Sequence, residues 1–379
     1  MTAERLGRLC LKMGMGVGQK EALRRLETYP TGSGEGEKSM TTHIFHYNDL
    51  DGWCSAAIVA RYTWERMGEV PVRFHEMDYH KPFPFEVLQQ GDEVYIVDFG
   101  PTNVAMHRLW VMDQEGFLEQ VVWIDHHETS YDRASKEPWA AMEGTRVRAG
   151  NYSAAWLTWD YFYGNAAKPV PPVVELVSLW DTFKGADQPE VIHTKYGLEF
   201  RTEGRPTSLV WTALLTSPYS AEALDYLSGI QSEGQMIYQD TTWRARAQIQ
   251  ENGFLVEIDG LKALAVNMPK GTNSRLFEGV AKVDETVVIL APFYLVGSDK
   301  VVVSLYRNPK AKGDFNLARV AEKYGGGGHA NAAGLAVVLE ELGAVLRPVK
   351  EGRTLTFTDI PIPERTASEE TDLADPGEE

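Results

Sequence analysis

The chain has 379 residues, of which 43% are hydrophobic, 11% aromatic and 24% charged; this excludes a wholly disordered protein and exceeds what one compact core usually organises. Its 54 acidic and 37 basic residues leave a formal net charge of −17, which opposes loose binding along a long phosphate backbone. Two cysteines, Cys10 and Cys54, are too few for a disulfide framework or a structural zinc cluster, and no window approaches the roughly 18 to 20 apolar residues of a membrane span, so the expected setting is the cytoplasm.

Residues 1–40 open with a basic stretch over 5–25 and pass into a Thr-Gly-Ser-Gly linker composition over 31–38, an N-terminal extension expected to be flexible. From residue 41 the texture alternates. Strands are expected over 43–47, 70–75, 93–98 and 121–124, and helices over 54–67, up to about 114, over 153–163 and over 173–180. This is the pattern of a parallel α/β sheet, in which ligands gather beyond the carboxyl ends of the strands. Residues 206–252 read as a mostly helical connector. Strands from about 254, over 263–266, 287–293 and 301–306, then a helix over 316–324 and a glycine run, form a second, smaller α/β domain. The expected boundaries are thus 1–40 for the extension, 41–205 for the first domain, 206–252 for the connector, 253–347 for the second domain and 348–379 for an acidic tail without apolar periodicity.

Three strand ends carry metal-ligand chemistry. The first is His46-Tyr-Asn-Asp49-Leu-Asp51-Gly52, where two carboxylates and an imidazole fall within one strand-to-helix turn. Acids also cap helices, and that reading stands beside the ligand one here. Val94-Tyr-Ile-Val-Asp98 and Val121-Val-Trp-Ile-Asp125-His126-His127 repeat the design, each ending an apolar strand in Asp or His. Recurrence on three strands at one sheet edge weighs against coincidence. Carboxylate with imidazole, and no cysteine nearby, suits manganese or a similar divalent ion. Asp181 follows an apolar helical turn, with capping as its alternative role. Far along the chain, Gly325-Gly326-Gly327-Gly328-His329 follows a helix and is expected to leave several backbone N–H groups free for an anion, with His329 as a second donor.

These motifs resemble the DHH superfamily of phosphoesterases with a C-terminal DHH-associated domain, over roughly residues 42–345. Asp125-His126-His127 is the run that names the family, and Gly325 to His329 with Ala332-Ala333-Gly334 resembles the hallmark of the associated domain. The resemblance implies a parallel-sheet domain joined by the helical connector to a smaller α/β domain, with the active site in the cleft between them. It implies two divalent ions, Mn2+ foremost and Mg2+ or Co2+ as alternatives. His46, Asp49 and Asp98 would hold one; Asp51, Asp98, His126 and Asp181 the other. His127 would face the substrate phosphate, Asp125 would orient its neighbours, and Gly326, Gly327, Gly328, His329 and Arg307 would bind substrate. The first motif follows the family variant with Asn48 at plus two and Asp51-Gly52 at plus five, which leaves a choice between Asp49 and Asn48 as ligand.

The function expected is hydrolysis of short oligonucleotides or linear dinucleotides to mononucleotides by a metal-activated hydroxide. The acidic surface weighs against a long-strand nuclease with a basic groove. A phosphomonoesterase or pyrophosphatase using the same metals, and a catalytically silent nucleotide-binding regulator, are the alternatives. No membrane partner is expected, and a homodimer is left open.

Overall fold

The computed structural model describes residues 40–354, apart from 79–80, 128–129, 131–133, 145–151, 167, 186, 279, 281, 314, 329 and 351–352. The extension 1–39, the far end of the acidic tail and His329 therefore lie outside the described residues. The chain divides into two units, Met1–Gln239 and Asp240–Glu379.

The first unit is built on four parallel strands, β1 (Thr42–Tyr47), β2 (Val72–Met77), β3 (Glu93–Val97) and β4 (Gln120–Ile124), in the order β2-β1-β3-β4. Both sheet faces are covered, so the strands read as near-continuous apolar runs. Alternation still sorts their side chains. Ile44, Tyr95, Val97, Val122 and Ile124 share one core with Ala56 and Val59 of α1 (Leu50–Met67) and Leu157 of α3 (Ala154–Tyr163). Phe45, Val94, Ile96, Val121 and Trp123 meet Met106 and Leu109 of α2 (Asn103–Gln114) on the other face. A helical layer completes the unit: α4 (Pro172–Asp181), α5 (Pro189–Thr202), α6 (Leu209–Thr216) and the start of α7 (Ala221–Asn252) pack on α1 and α3 through Val174, Val177, Leu198, Trp211, Leu214 and Ile230.

Two local departures from expectation have physical causes. Helix α1 begins four residues early, because the Asp49 side chain accepts from the Gly52 amide and caps it. Gly52 sits in its first turn because a Cβ there would lie 2.2 Å from the Tyr47 carbonyl oxygen. Strand β2 begins two residues late, because Gly68 at φ 71 closes α1 and Val70 turns back to bond it. Helix α5 had no counterpart in the expected elements.

The described residues of the second unit form eight strands, among them β5 (Phe254–Ile258), β6 (Leu261–Asn267), β7 (Ile289–Val296) and β8 (Lys300–Arg307). They continue through β9 (Gly327–Gly328), β10 (Ala332–Val338), β11 (Arg347–Lys350) and β12 (Arg353–Thr354), in the order β12-β11-β5-β6-β7-β8-β10-β9. Among the described residues of this unit, only β6 and β7 pair in parallel. One face packs on Leu317, Val320 and Ala321 of α8 (Leu317–Glu322), the other on Ala245 and Ile249 of α7 with Leu276 and Phe277. The short helix α9 (Leu342–Val345) leads into β11.

The glycine run differs from the loop expected of it. Gly325 donates to the Glu322 carbonyl and Gly326 to Ala321, while Gly327 and Gly328 pair with Gly334 and Ala333 of β10. Gly326 passes so close to β10 that a Cβ would lie 2.2 Å from the Gly334 carbonyl oxygen. At Gly326, close packing against β10 is what requires glycine. The Gly325 and Gly326 amides are thereby spent on the end of the preceding helix.

Candidate metal centre

All three strand-end motifs meet at the carboxyl edge of the first sheet. Strand β3 ends in Asp98, which is 1% exposed and adopts φ 54. That left-handed backbone costs a non-glycine residue about 1–2 kcal/mol, and it turns the carboxylate out of the strand's alternation. Strand β4 runs into Asp125, His126 and His127. The last residue of α4 is Asp181, and α1 contributes Asp51 in its first turn.

His126 is the hub. Its Nε2 lies 3.4 Å from Asp98 Oδ1, 3.3 Å from Asp181 Oδ2 and 3.9 Å from Asp51 Oδ2. Two groups result, Asp98 with His126 and His127, and Asp51 with His126 and Asp181, each with its ligand atoms within 4.8 Å of one another. Asp51 is positioned from far away in the chain: its two carboxylate oxygens accept from the amides of Ala154 and Ala155 at 2.7 and 3.0 Å, at the opening of α3. That opening is held in turn by Ser178 of α4, whose Oγ accepts from the Ser153 amide at 3.1 Å.

Asp125 faces its own neighbours. Its Oδ1 accepts from the His126 amide at 2.8 Å, the His127 amide at 3.2 Å and His127 Nδ1 at 2.7 Å. Burial works against the Asp125 charge, but the His127 hydrogen bond and charge outweigh it and hold this carboxyl below its usual range. The same pair lifts His127 above the ordinary imidazole value despite its own burial. With Nδ1 committed to Asp125, Nε2 is the ring nitrogen left to meet a ligand.

The other carboxyls behave oppositely. Asp98 and Asp181 are pushed well above the usual carboxylate range, first by burial and then by neighbouring acids, Asp51 and Asp49 among them. Asp51 is raised by burial, with His126 partly opposing. Both oxygens of Asp98, Oδ2 of Asp181, Oδ2 of Asp125 and Nδ1 of His126 are buried without a hydrogen-bond partner. Buried polar groups are nearly always paired. Orphaned acids clustered round one imidazole fit divalent cations, which would satisfy the oxygens and relieve the mutual repulsion that raises these carboxyls.

His46 and Asp49 join neither three-ligand group. His46 is buried, with Nδ1 2.8 Å from the Tyr47 carbonyl oxygen; a carbonyl only accepts, so this nitrogen carries the proton and Nε2 keeps the lone pair that a metal takes. Burial lowers its affinity for a second proton. Asp49 takes the capping role weighed for it, although its charge is felt by Asp98 and Asp181. Asn48 is already engaged: its amide nitrogen donates to Glu76 at 2.5 Å and its oxygen accepts from Trp53 Nε1 at 3.1 Å. The amides of Ala154 and Ala155 and the Ser178 hydroxyl carry no signal in the sequence, since each acts on a residue far away in the chain. In the second unit, Arg307 donates to the Gly313 carbonyl at 2.7 Å and lies over the Phe315 ring at 4.3 Å.

No family model matches the chain. It is 23% identical over 316 residues to an uncharacterized protein of Acanthamoeba polyphaga mimivirus, a match covering 77% of this chain and 66% of that protein, just under two thirds of its length. Among solved structures it is similar to the DHH domain of a member of the s1p family of ribosomal proteins, with TM-score 0.48, 13% identity and coverage of 91% and 97% of the two chains. It is similar also to a pGpG-specific phosphodiesterase from Vibrio cholerae, with TM-score 0.44, 15% identity and coverage of 80% and 96%. A third is exonuclease RecJ bound to manganese, with TM-score 0.41, 17% identity and coverage of 86% and 91%. One of these similar structures is described as a DHH domain, the motif that Asp125-His126-His127 spells in this sequence.

Proposed function

We propose that the protein is a divalent-metal-dependent phosphodiesterase that hydrolyses short oligonucleotides or linear dinucleotides to mononucleotides. One observation carries the reading: Asp51, Asp98 and Asp181 surround His126 Nε2, and Asp98 is buried with neither oxygen partnered. Structural acids of this kind are paired by protein; Asp98, at both oxygens, and Asp181, at Oδ2, are not.

Asp51, Asp98, His126 and Asp181 would hold one ion of a metal pair, with His46, Asp49 and Asp98 available to the other. Bound there, divalent ions would supply an activated water and offset charge on the phosphoryl oxygens. Manganese suits the mixed carboxylate and imidazole donors. The protein's own groups then orient the ester. His127, fixed through Nδ1 by Asp125, offers Nε2 to a phosphoryl oxygen, and the Asp125 charge favours the protonated, donating ring. The amides of Ala154 and Ala155 keep Asp51 from moving as charge changes around it. In the second unit the reading assigns Arg307 and glycines 326–328 to substrate binding, and His329 with them.

Short substrates are favoured because the net charge of −17 offers a long polyanion little to hold. Among the described residues no helix is long and apolar enough to cross a membrane. The test is a panel of labelled dinucleotides, longer oligomers, phosphomonoesters and pyrophosphate, assayed with Mn2+ and with Mg2+ beside calorimetric titration of the ions. Mononucleotide release from dinucleotides is the expected result. Release of phosphate from monoesters or pyrophosphate alone would transfer the site to the alternative reaction, and ion binding without turnover on any substrate would make the protein a silent binder.

A further inference from the structure

Just past Asp181 the chain makes an unusual turn. Phe183 adopts φ 59 and its side chain is 81% exposed. The turn closes α4: the Thr182 amide donates to Ser178, the Phe183 amide to Trp180 and the Gly185 amide to Leu179. Glycine is the usual occupant of a left-handed position ending a helix, because a side chain there is strained. Here the largest apolar ring but one stands in water at that position, two residues from a carboxylate of the metal centre. Strain in the backbone and exposure in the side chain both work against stability, so the ring has no packing reason to be there.

A second aromatic surface lies on the same rim. Tyr152 is 43% exposed and stacks on Trp156, ring centroids 3.8 Å apart and planes 19° apart. It immediately precedes Ser153, which is bonded to Ser178 of α4, and the Ala154 and Ala155 amides that hold Asp51. Lys184, next to Phe183 in the turn, places Nζ 5.7 Å from the Tyr152 ring centre. Two exposed rings and a cation thus lie on the segments that carry Asp181 and support Asp51.

We propose that Phe183 is a specificity residue, a stacking face for the nucleobase attached to the phosphate held at the metal centre, with Tyr152 and Lys184 extending that surface. The inference rests on the phosphodiesterase reading above and deepens it. A base has two apolar faces and sits a few ångström from its own phosphate, the separation that two residues of turn can bridge. Aromatic rings stack any base, so this surface selects for a nucleotide ester over a simple one and discriminates weakly between sequences. Lys184 adds a positive charge beside this surface, which favours an anionic nucleotide.

The experiment compares wild type, Phe183→Gly and Phe183→Trp with Mn2+ on two substrates, a linear dinucleotide and bis(p-nitrophenyl) phosphate, which has no base. In Phe183→Gly the ratio of kcat/KM for dinucleotide over that for the simple ester should fall roughly five- to hundredfold, the range of one base-stacking contact. Phe183→Trp should restore it. The Tm of Phe183→Gly should equal or exceed that of wild type, since glycine is unstrained at φ 59. A parallel binding arm follows a dinucleotide containing 2-aminopurine, whose emission is quenched on stacking; wild type should quench it and Phe183→Gly should not. An unchanged substrate ratio with unchanged quenching overturns the proposal, as does a drop in Tm or a change of oligomeric state in Phe183→Gly, which would make Phe183 a packing or self-association residue. Wild type that hydrolyses neither substrate yet loses its quenching in Phe183→Gly would instead overturn the phosphodiesterase reading and leave the stacking face standing.

Discussion

The two ends of the first sheet use the same residue types to opposite effect. At its amino end, Asp92 lies before β3, accepting from the Thr41 amide at 3.0 Å and the Gln89 amide at 2.7 Å, and sits 3.2 Å from His43 Nε2. His43 Nδ1 in turn is 2.9 Å from His75 Nε2, and the His75 ring stacks on Phe45. At the carboxyl end, Asp98 has no partner for either oxygen, and His126 Nε2 faces three carboxylates. Aspartate with two histidines, all buried or nearly so, is a closed structural network in one place and an open set of donors in the other. Residue type therefore does not mark function here; unspent hydrogen-bonding capacity does.

The sharpest way to break that contrast is Asp98→Asn. The amide keeps the size and tolerates the left-handed backbone, while the charge shared round His126 is lost. Turnover should fall to background, the rise in Tm on adding Mn2+ to chelator-treated protein should vanish, and the metal-free Tm should hold or rise as buried repulsion is relieved. Near-parental kcat in this variant would remove the metal centre from the site. Next in size is Asp125→Asn, which leaves every donor of the metal groups in place but weakens the hold on His127. A loss of roughly 10- to 100-fold in activity or metal affinity is expected, as for partners that orient ligands, with the pH profile of kcat shifted to lower pH because the charge that lifts His127 is gone.

At the other end of the sheet the same substitution should act on stability alone. Asp92→Asn should cost about 1–3 kcal/mol in urea denaturation, by weakening the acceptors for two amides and His43, with kcat and Mn2+ titration unaltered. A kinetic defect there as large as that of Asp125→Asn would erase the distinction between the two ends. The smallest effect belongs to His75→Phe. Burial foremost, then the charge of His43, lowers His75 from 6.5 to about 4. Between these values the unfolded chain binds a proton that the folded chain refuses, so stability present above pH 6.5 is lost as pH falls toward 4. Phenylalanine keeps the ring on Phe45 and removes that titration. The variant should give up about 1 kcal/mol at pH 8 for the unpaired His43 nitrogen, and its stability should fall less steeply than that of wild type from pH 6.5 to 4. Parallel stability curves would show that His75 does not titrate in this way.

Much of this molecule is legible in local order. The apolar runs at 43–47, 93–98 and 121–124 are strands within a residue or two, because both faces of a parallel sheet are buried and its strands need no polar alternation. Their polar endings, Asp98 and Asp125 to His127, are legible for the same reason: a buried strand tolerates acids and histidines only where it leaves the core. The glycines 325–328 are less legible, because glycine permits both a loop and a close-packed strand edge, and only the approach of β10 places Gly327 and Gly328 in a strand.

The sequence by itself thus determined which residue types stand at each strand end, since that depends on a few neighbours in the chain. Tertiary structure decided which of them are left unpaired. Asp51 owes its place to amides more than a hundred residues away, Asp92 is satisfied by Thr41 and His43 across a strand gap, and Asp49 takes the helix cap instead of a three-ligand group. The φ of 54 at Asp98 and of 59 at Phe183 are likewise imposed by the strand pairing and helix ending around them. A hydrogen bond is short and directional, so whether a buried carboxylate is spent or free depends on what the fold brings within about 3 Å of it, and no stretch of local sequence contains that information.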